Sequence, residues 1–77
     1  MQEEEIIINI IKSALQVDKV TIDSSTDNLE EWDSFGHLSI LVALDREFEG
    51  NLAGISDMAT ADSVKKIILI LDNNNFI

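Results

Sequence analysis

The sequence predicts a small all-α domain: a four-helix bundle of three main helices and one short one, with a long loop between helices 1 and 2. Two observations carry this. Apolar residues recur at three- and four-residue spacing in three separate stretches, the period of a helix with one buried face. Isoleucine, leucine, valine and phenylalanine supply 27 of 77 residues, or 35%, well above the ~20% that marks a chain too poor in apolar residues to fold. A chain this short holds one core, so residues 1–77 form a single domain.

Residues 3 to about 15 read as the first helix. Ile6, Ile7, Ile10, Ile11 and Ala14 share a stripe, Asn9, Lys12 and Ser13 fall opposite, and Glu3, Glu4 and Glu5 sit in the first turn, where the helix dipole favours negative charge. From Gln16 to Asp33 the helical period vanishes among Asp, Ser, Thr and Asn, broken by Val17, Val20, Ile22, Leu29 and Trp32. A loop of this length in a small domain is commonly functional, and its spaced apolar residues predict that it is pinned across the surface. Lys19 to Asp23 is the one stretch with a strand alternative. The second helix is expected from Ser34 to about Glu49, closed by Gly50 as its left-handed turn residue. A short irregular or helical segment follows around Ile55 to Met58. Thr60 or Asp62 then caps a last helix built on Val64, Ile67, Ile68 and Leu71.

Charge excludes several functions. Fifteen acids against five bases give a net charge of −10 and a pI near 4.1, which repels nucleic acid and anionic membranes and selects basic partners. With no cysteine and one histidine, disulfides, thiolate metal sites and histidine clusters are ruled out. The longest apolar runs, Ile40–Leu44 and Ile67–Leu71, are far short of the roughly 18 residues that suggest a membrane span. Acids at Glu3–Glu5, where a secretory signal carries positive charge, lead us to expect a cytoplasmic protein, and we expect a monomer. Self-repulsion among the acids predicts that the melting temperature rises from low to physiological ionic strength; melting unaffected by salt over that range would contradict it.

The second helix has more apolar surface than one core needs. On a helical wheel Ile40, Leu41, Leu44 and Phe48 fill one arc, while Phe35, Leu38 and Val42 form a second stripe bordered by Ser39, Asp45 and Arg46. An isolated apolar stripe of this kind marks a partner site, unless the long loop and Trp32 cover it. Glu30, Glu31, Asp33, Asp45, Glu47 and Glu49 would steer a basic partner toward it. At the start of the same helix, Ser34 follows Asp33 and has two readings. It is either a structural N-cap or an exposed hydroxyl placed for a phosphate group, which free helix N–H groups and the dipole stabilise. A calcium loop over Asp23–Ser34 was the competing idea, with Asp23, Ser25 and Asp27 at positions 1, 3 and 5. It fails because Asn28 stands at the turn glycine and Ser34 at the bidentate glutamate. His37 is expected to be a helix-start or loop contact, and no nucleophile–base constellation accompanies it.

The run Glu31-Trp32-Asp33-Ser34-Phe35-Gly36-His37-Leu38, followed by Ile40 to Phe48, resembles the acyl carrier protein family, in which an Asp-Ser-Leu-like motif opens helix 2 and a Glu-Glu-Phe-like ending closes it. The likeness in size, acidity and helix order covers nearly the whole chain. It implies that Ser34 carries a 4′-phosphopantetheine arm attached from coenzyme A by a phosphopantetheinyl transferase, with Asp33 as the motif acid that helps orient Ser34 and magnesium. The arm's thiol would carry acyl groups as thioesters, as in fatty-acid and lipid metabolism, making the domain a carrier and not an enzyme. Phe35, Leu38 and Val42, with Asp45 on the acidic edge, match the positions that read acyl-transferring or acyl-activating enzymes through their basic patches. Several positions depart from the pattern. Glu31 stands where many members have glycine, Trp32 where a small residue is usual, and Ser39 and Arg46 where acids are common. The recognition helix is thereby less negative, which suits a dedicated set of partners outside bulk fatty-acid synthesis. An aminoacyl or D-alanyl carrier is the alternative cargo, and an unmodified helical docking module the alternative function.

Overall fold

The computed structural model describes residues 2–52 and 54–77. Among them the chain forms α1 (Gln2–Leu15), α2 (Ser34–Glu47), a five-residue 3₁₀ helix (Ser56–Thr60) and α3 (Val64–Asn73), in that order. The architecture is all-helical, with a short 3₁₀ segment where the sequence suggested a short helix. No helix among the described residues is long and apolar enough to cross a membrane.

The core is built from the faces that the periodicity marks. Ile7, Ile11 and Leu15 of α1, Ile40 and Leu44 of α2, and Val64, Ile67 and Leu71 of α3 are buried together with Val20, Trp32, Leu52, Met58 and Ala61. Helix α1 packs chiefly on α2. One expected stripe residue departs: Ile6 is exposed, because the crowd of isoleucines on α1 spans more of its circumference than its two neighbours can cover.

The long loop is pinned, as its spacing suggested, and its anchor is the start of α3. Thr26 N–H donates to the Asp62 carbonyl at 3.0 Å and Val64 N–H donates to the Ser24 carbonyl at 3.0 Å, giving an isolated antiparallel bridge between Ser25 and Ser63. Lys19 to Asp23 forms no strand. Asn28 ties the turn from within: its Oδ1 accepts from Ser25 N–H at 3.0 Å and its Nδ2 donates to the Asp23 carbonyl at 3.0 Å.

Helix ends depart from expectation in two ways. Helix α3 is capped by Ser63, whose Oγ accepts from Lys66 N–H at 3.1 Å, and not by Thr60 or Asp62. The Asp62 carboxylate instead meets Lys66 Nζ at 3.0 Å. Gly50 is left-handed as expected (φ 81°), but Glu49 already is (φ 60°). Gly50 N–H donates to the Asp45 carbonyl at 2.8 Å and Glu49 N–H to that of Arg46 at 3.4 Å, so Glu49 occupies the left-handed position of a Schellman closure and Gly50 follows it. The same closure recurs at Gln16 and Asn75, both at positive φ, with Val17 and Phe76 bonding back to Lys12 and Leu71. All three α-helices therefore end on a residue other than glycine.

Candidate functional site

Helix α2 starts where it does because Asp33 caps it. Asp33 is extended (φ −99°, ψ −163°) and its Oδ1 accepts from Gly36 N–H at 2.8 Å, while its carbonyl accepts from His37 N–H at 2.8 Å. This corrects the structural reading of Ser34 as N-cap. Ser34 is the first helical residue and exposed, and among the described residues its hydroxyl has no hydrogen-bond partner. The N–H groups of Ser34 and Phe35 likewise have no protein acceptor among the described residues, so the first turn keeps two free donors at the positive end of the helix dipole. Replacing Asp33 by Ala is expected to cost about 0.5–2 kcal/mol by loss of the cap, with Asp33→Asn close to wild type; equal denaturation midpoints for all three proteins would contradict the assignment.

Asp33 and Ser34 border a cavity of about 460 Å³, closed on the far side by Ala59, Thr60, Ala61 and Asp62 and completed by Thr26, Trp32 and His37. The Lys66 ammonium beside Asp62, first by its hydrogen bond and then by its charge, holds the Asp62 carboxyl below the usual carboxylate range. The sign follows: the pair stabilises the fold above the ordinary carboxylate pKa and ceases to as pH falls through the lowered one. Both side chains are exposed, so the effect is small.

Along α2 the predicted partner stripe lies open. Phe35 is 82% exposed, Leu38 59% and Val42 46%. Neither the loop nor Trp32 covers it, because Trp32 is itself in the core at 2% exposure. Asp45, expected on the acidic edge, is half-buried and has a structural bond: its Oδ1 accepts from Leu52 N–H at 3.2 Å. It lines a second, mostly apolar cavity of about 340 Å³ with Leu41, Val42, Leu52, Ile55 and Met58. Ala59 borders both cavities, which lie along the seam between α2 and the 3₁₀ helix.

Sequence reasoning missed that seam. Residues 59–62 carry no local signal of a site, and they lie near Ser34 through tertiary contacts, among them the bonds between the loop and the start of α3. His37 is a loop contact as expected, and more: it bridges Trp32 and Met58. One signal was available, since a Trp placed inside a core needs an acceptor for its indole N–H. Gly36 is a further missed residue. A Cβ there would overlap the Glu31 carbonyl oxygen and approach Leu15 Cδ2 to 2.8 Å, so the first turn of α2 sits directly on the loop end. Compared with family models, curated proteins and solved structures, the chain matches none.

Proposed function

We propose that the protein is an acyl carrier: a phosphopantetheinyl transferase attaches 4′-phosphopantetheine to Ser34, and the arm's thiol carries acyl groups as thioesters between partner enzymes. In the attachment, Ser34 Oγ bonds to the phosphorus that bears the pantetheine and the phosphoanhydride bond of coenzyme A breaks. The serine proton leaves to a base of the transferase, and 3′,5′-ADP departs. The observation that carries the reading is the exposed Ser34 hydroxyl, without a partner among the described residues, at the head of α2 beside a capping carboxylate. A phosphodiester formed there sits within reach of the free Ser34 and Phe35 N–H groups, which favour an anion.

Asp33 has Oδ1 committed to Gly36, leaving its other oxygen for the transferase's magnesium. The order of α1, long loop, α2, short 3₁₀ turn and α3 is compatible with the helix order expected of a carrier domain and supports the reading. The open stripe of Phe35, Leu38 and Val42 is suited to apolar contact with the transferase and with acyl-handling enzymes, and the net charge of −10 selects those with basic docking patches. The protein itself performs no catalysis in this account.

Phosphorus and amide NMR test the chemistry of the bond. After incubation with coenzyme A, magnesium and a broad-specificity transferase, one protein-bound phosphodiester resonance should appear, with the largest amide shifts at Ser34 and Phe35. A phosphodiester whose amide shifts cluster elsewhere would contradict the site. A second reading, an unmodified docking module, draws on the same open stripe. It predicts that Leu38→Asp abolishes partner binding and Ser34→Ala leaves function untouched.

A further inference from the structure

The carrier reading makes no use of the bridge from Trp32 through His37 to Met58. The Trp32 indole, almost wholly buried, donates from Nε1 to His37 Nδ1 at 3.1 Å, and His37 Nε2 lies 2.8 Å from the Met58 carbonyl oxygen. An indole N–H only donates and a carbonyl oxygen only accepts. The two partners assign the ring nitrogens their roles: the Nδ1 lone pair receives Trp32, and Nε2–H donates to Met58. The two rings are nearly parallel, 16° apart, with centroids separated by 6.3 Å.

One imidazole thus joins three segments: the end of the long loop, the first turn of α2 and the 3₁₀ helix. Those same segments wall the cavity beside Ser34. We infer that His37 is a positioning residue for the Ser34 site, whose ring sets the spacing of α2 from the 3₁₀ helix and so the shape of the groove that receives the phosphopantetheine donor. The inference rests on the carrier reading and adds a residue to it. A side chain with no acceptor at that position leaves the buried indole N–H unpaired, a loss that buried groups tolerate poorly.

The chain contains one Trp and one His, so the indole N–H and imidazole nitrogen resonances need no assignment. In His37→Phe, which removes the acceptor, the indole N–H should shift and exchange faster; in His37→Gln, which keeps one acceptor and one donor, it should stay close to its wild-type position and protection. Loading by the transferase supplies the second readout. At neutral pH His37→Gln should load at close to the wild-type rate and His37→Phe roughly 10- to 100-fold more slowly, the scale of a small misplacement of a reacting group. An indole resonance unchanged in His37→Phe would overturn the inference, and so would equally fast loading of His37→Phe and wild type. A wild type that never loads overturns the carrier reading and this inference with it, which the first two outcomes do not.

Discussion

Ser34→Ala should take up no phosphopantetheine while keeping the wild-type fold. The cap of α2 belongs to Asp33, through its bond to Gly36 N–H at 2.8 Å, and the Ser34 side chain is exposed. Removing its hydroxyl breaks no bond seen among the described residues, and alanine is the better helix former. The melting temperature should stay within the range of a neutral surface change, about ±0.5 kcal/mol in stability. Complete loss of loading with unchanged melting is the expected pair of results. A fall in stability of cap size, about 1 kcal/mol, would mean that Ser34 and not Asp33 holds the helix start, and would weaken the case for a free hydroxyl.

Gly36→Ala is the substitution with the largest expected structural effect. Helix propensity alone makes it favourable by up to about 1 kcal/mol, yet the added methyl would collide with the Glu31 carbonyl oxygen and come within 2.8 Å of Leu15 Cδ2. The first neighbour is backbone and cannot swing aside, so the loop end must retreat from α2, taking with it the Trp32 indole. Overpacking of this kind costs about 2–3 kcal/mol, which for a domain of this size lowers the melting temperature by roughly 10–20 °C. Combining it with Leu15→Ala should not restore stability, since that change removes only the yielding neighbour. Thermal melts of the single and double variants decide this; a Gly36→Ala protein as stable as wild type would show that the loop end is not seated on α2.

Periodicity served best where an apolar stripe was narrow. On α3 the spacing of Val64, Ile67 and Leu71 marks the face that is buried, and on α2 the split into two arcs separates Ile40 and Leu44, which are buried, from Phe35, Leu38 and Val42, which are open. On α1 isoleucine occupies five of the six positions from 6 to 11, so its pattern does not reveal that Ile6 faces outward. Cap choice was illegible for a similar reason. Thr60, Asp62 and Ser63 are all cap-type residues, and the tertiary bond from Val64 N–H to the Ser24 carbonyl accompanies the selection of the last. The left-handed closures at Gln16, Glu49 and Asn75 violate the usual glycine preference and leave no sequence trace. Within the candidate site, Asp33, Ser34 and the open stripe could be read from α2 alone. The far wall of the cavity and the Trp32–His37–Met58 bridge depend on contacts between distant segments, which no local pattern encodes.

The account stands on one covalent bond, and intact mass measures it directly. Purified wild type is incubated with coenzyme A, magnesium and a broad-specificity phosphopantetheinyl transferase, with Ser34→Ala alongside and a carrier domain already known to load as the positive control. The prediction is a gain of a single phosphopantetheine by the wild type and none by Ser34→Ala. A folded, initially unmodified wild type that gains nothing while the control loads fully, or a Ser34→Ala protein that gains the same mass, would contradict it.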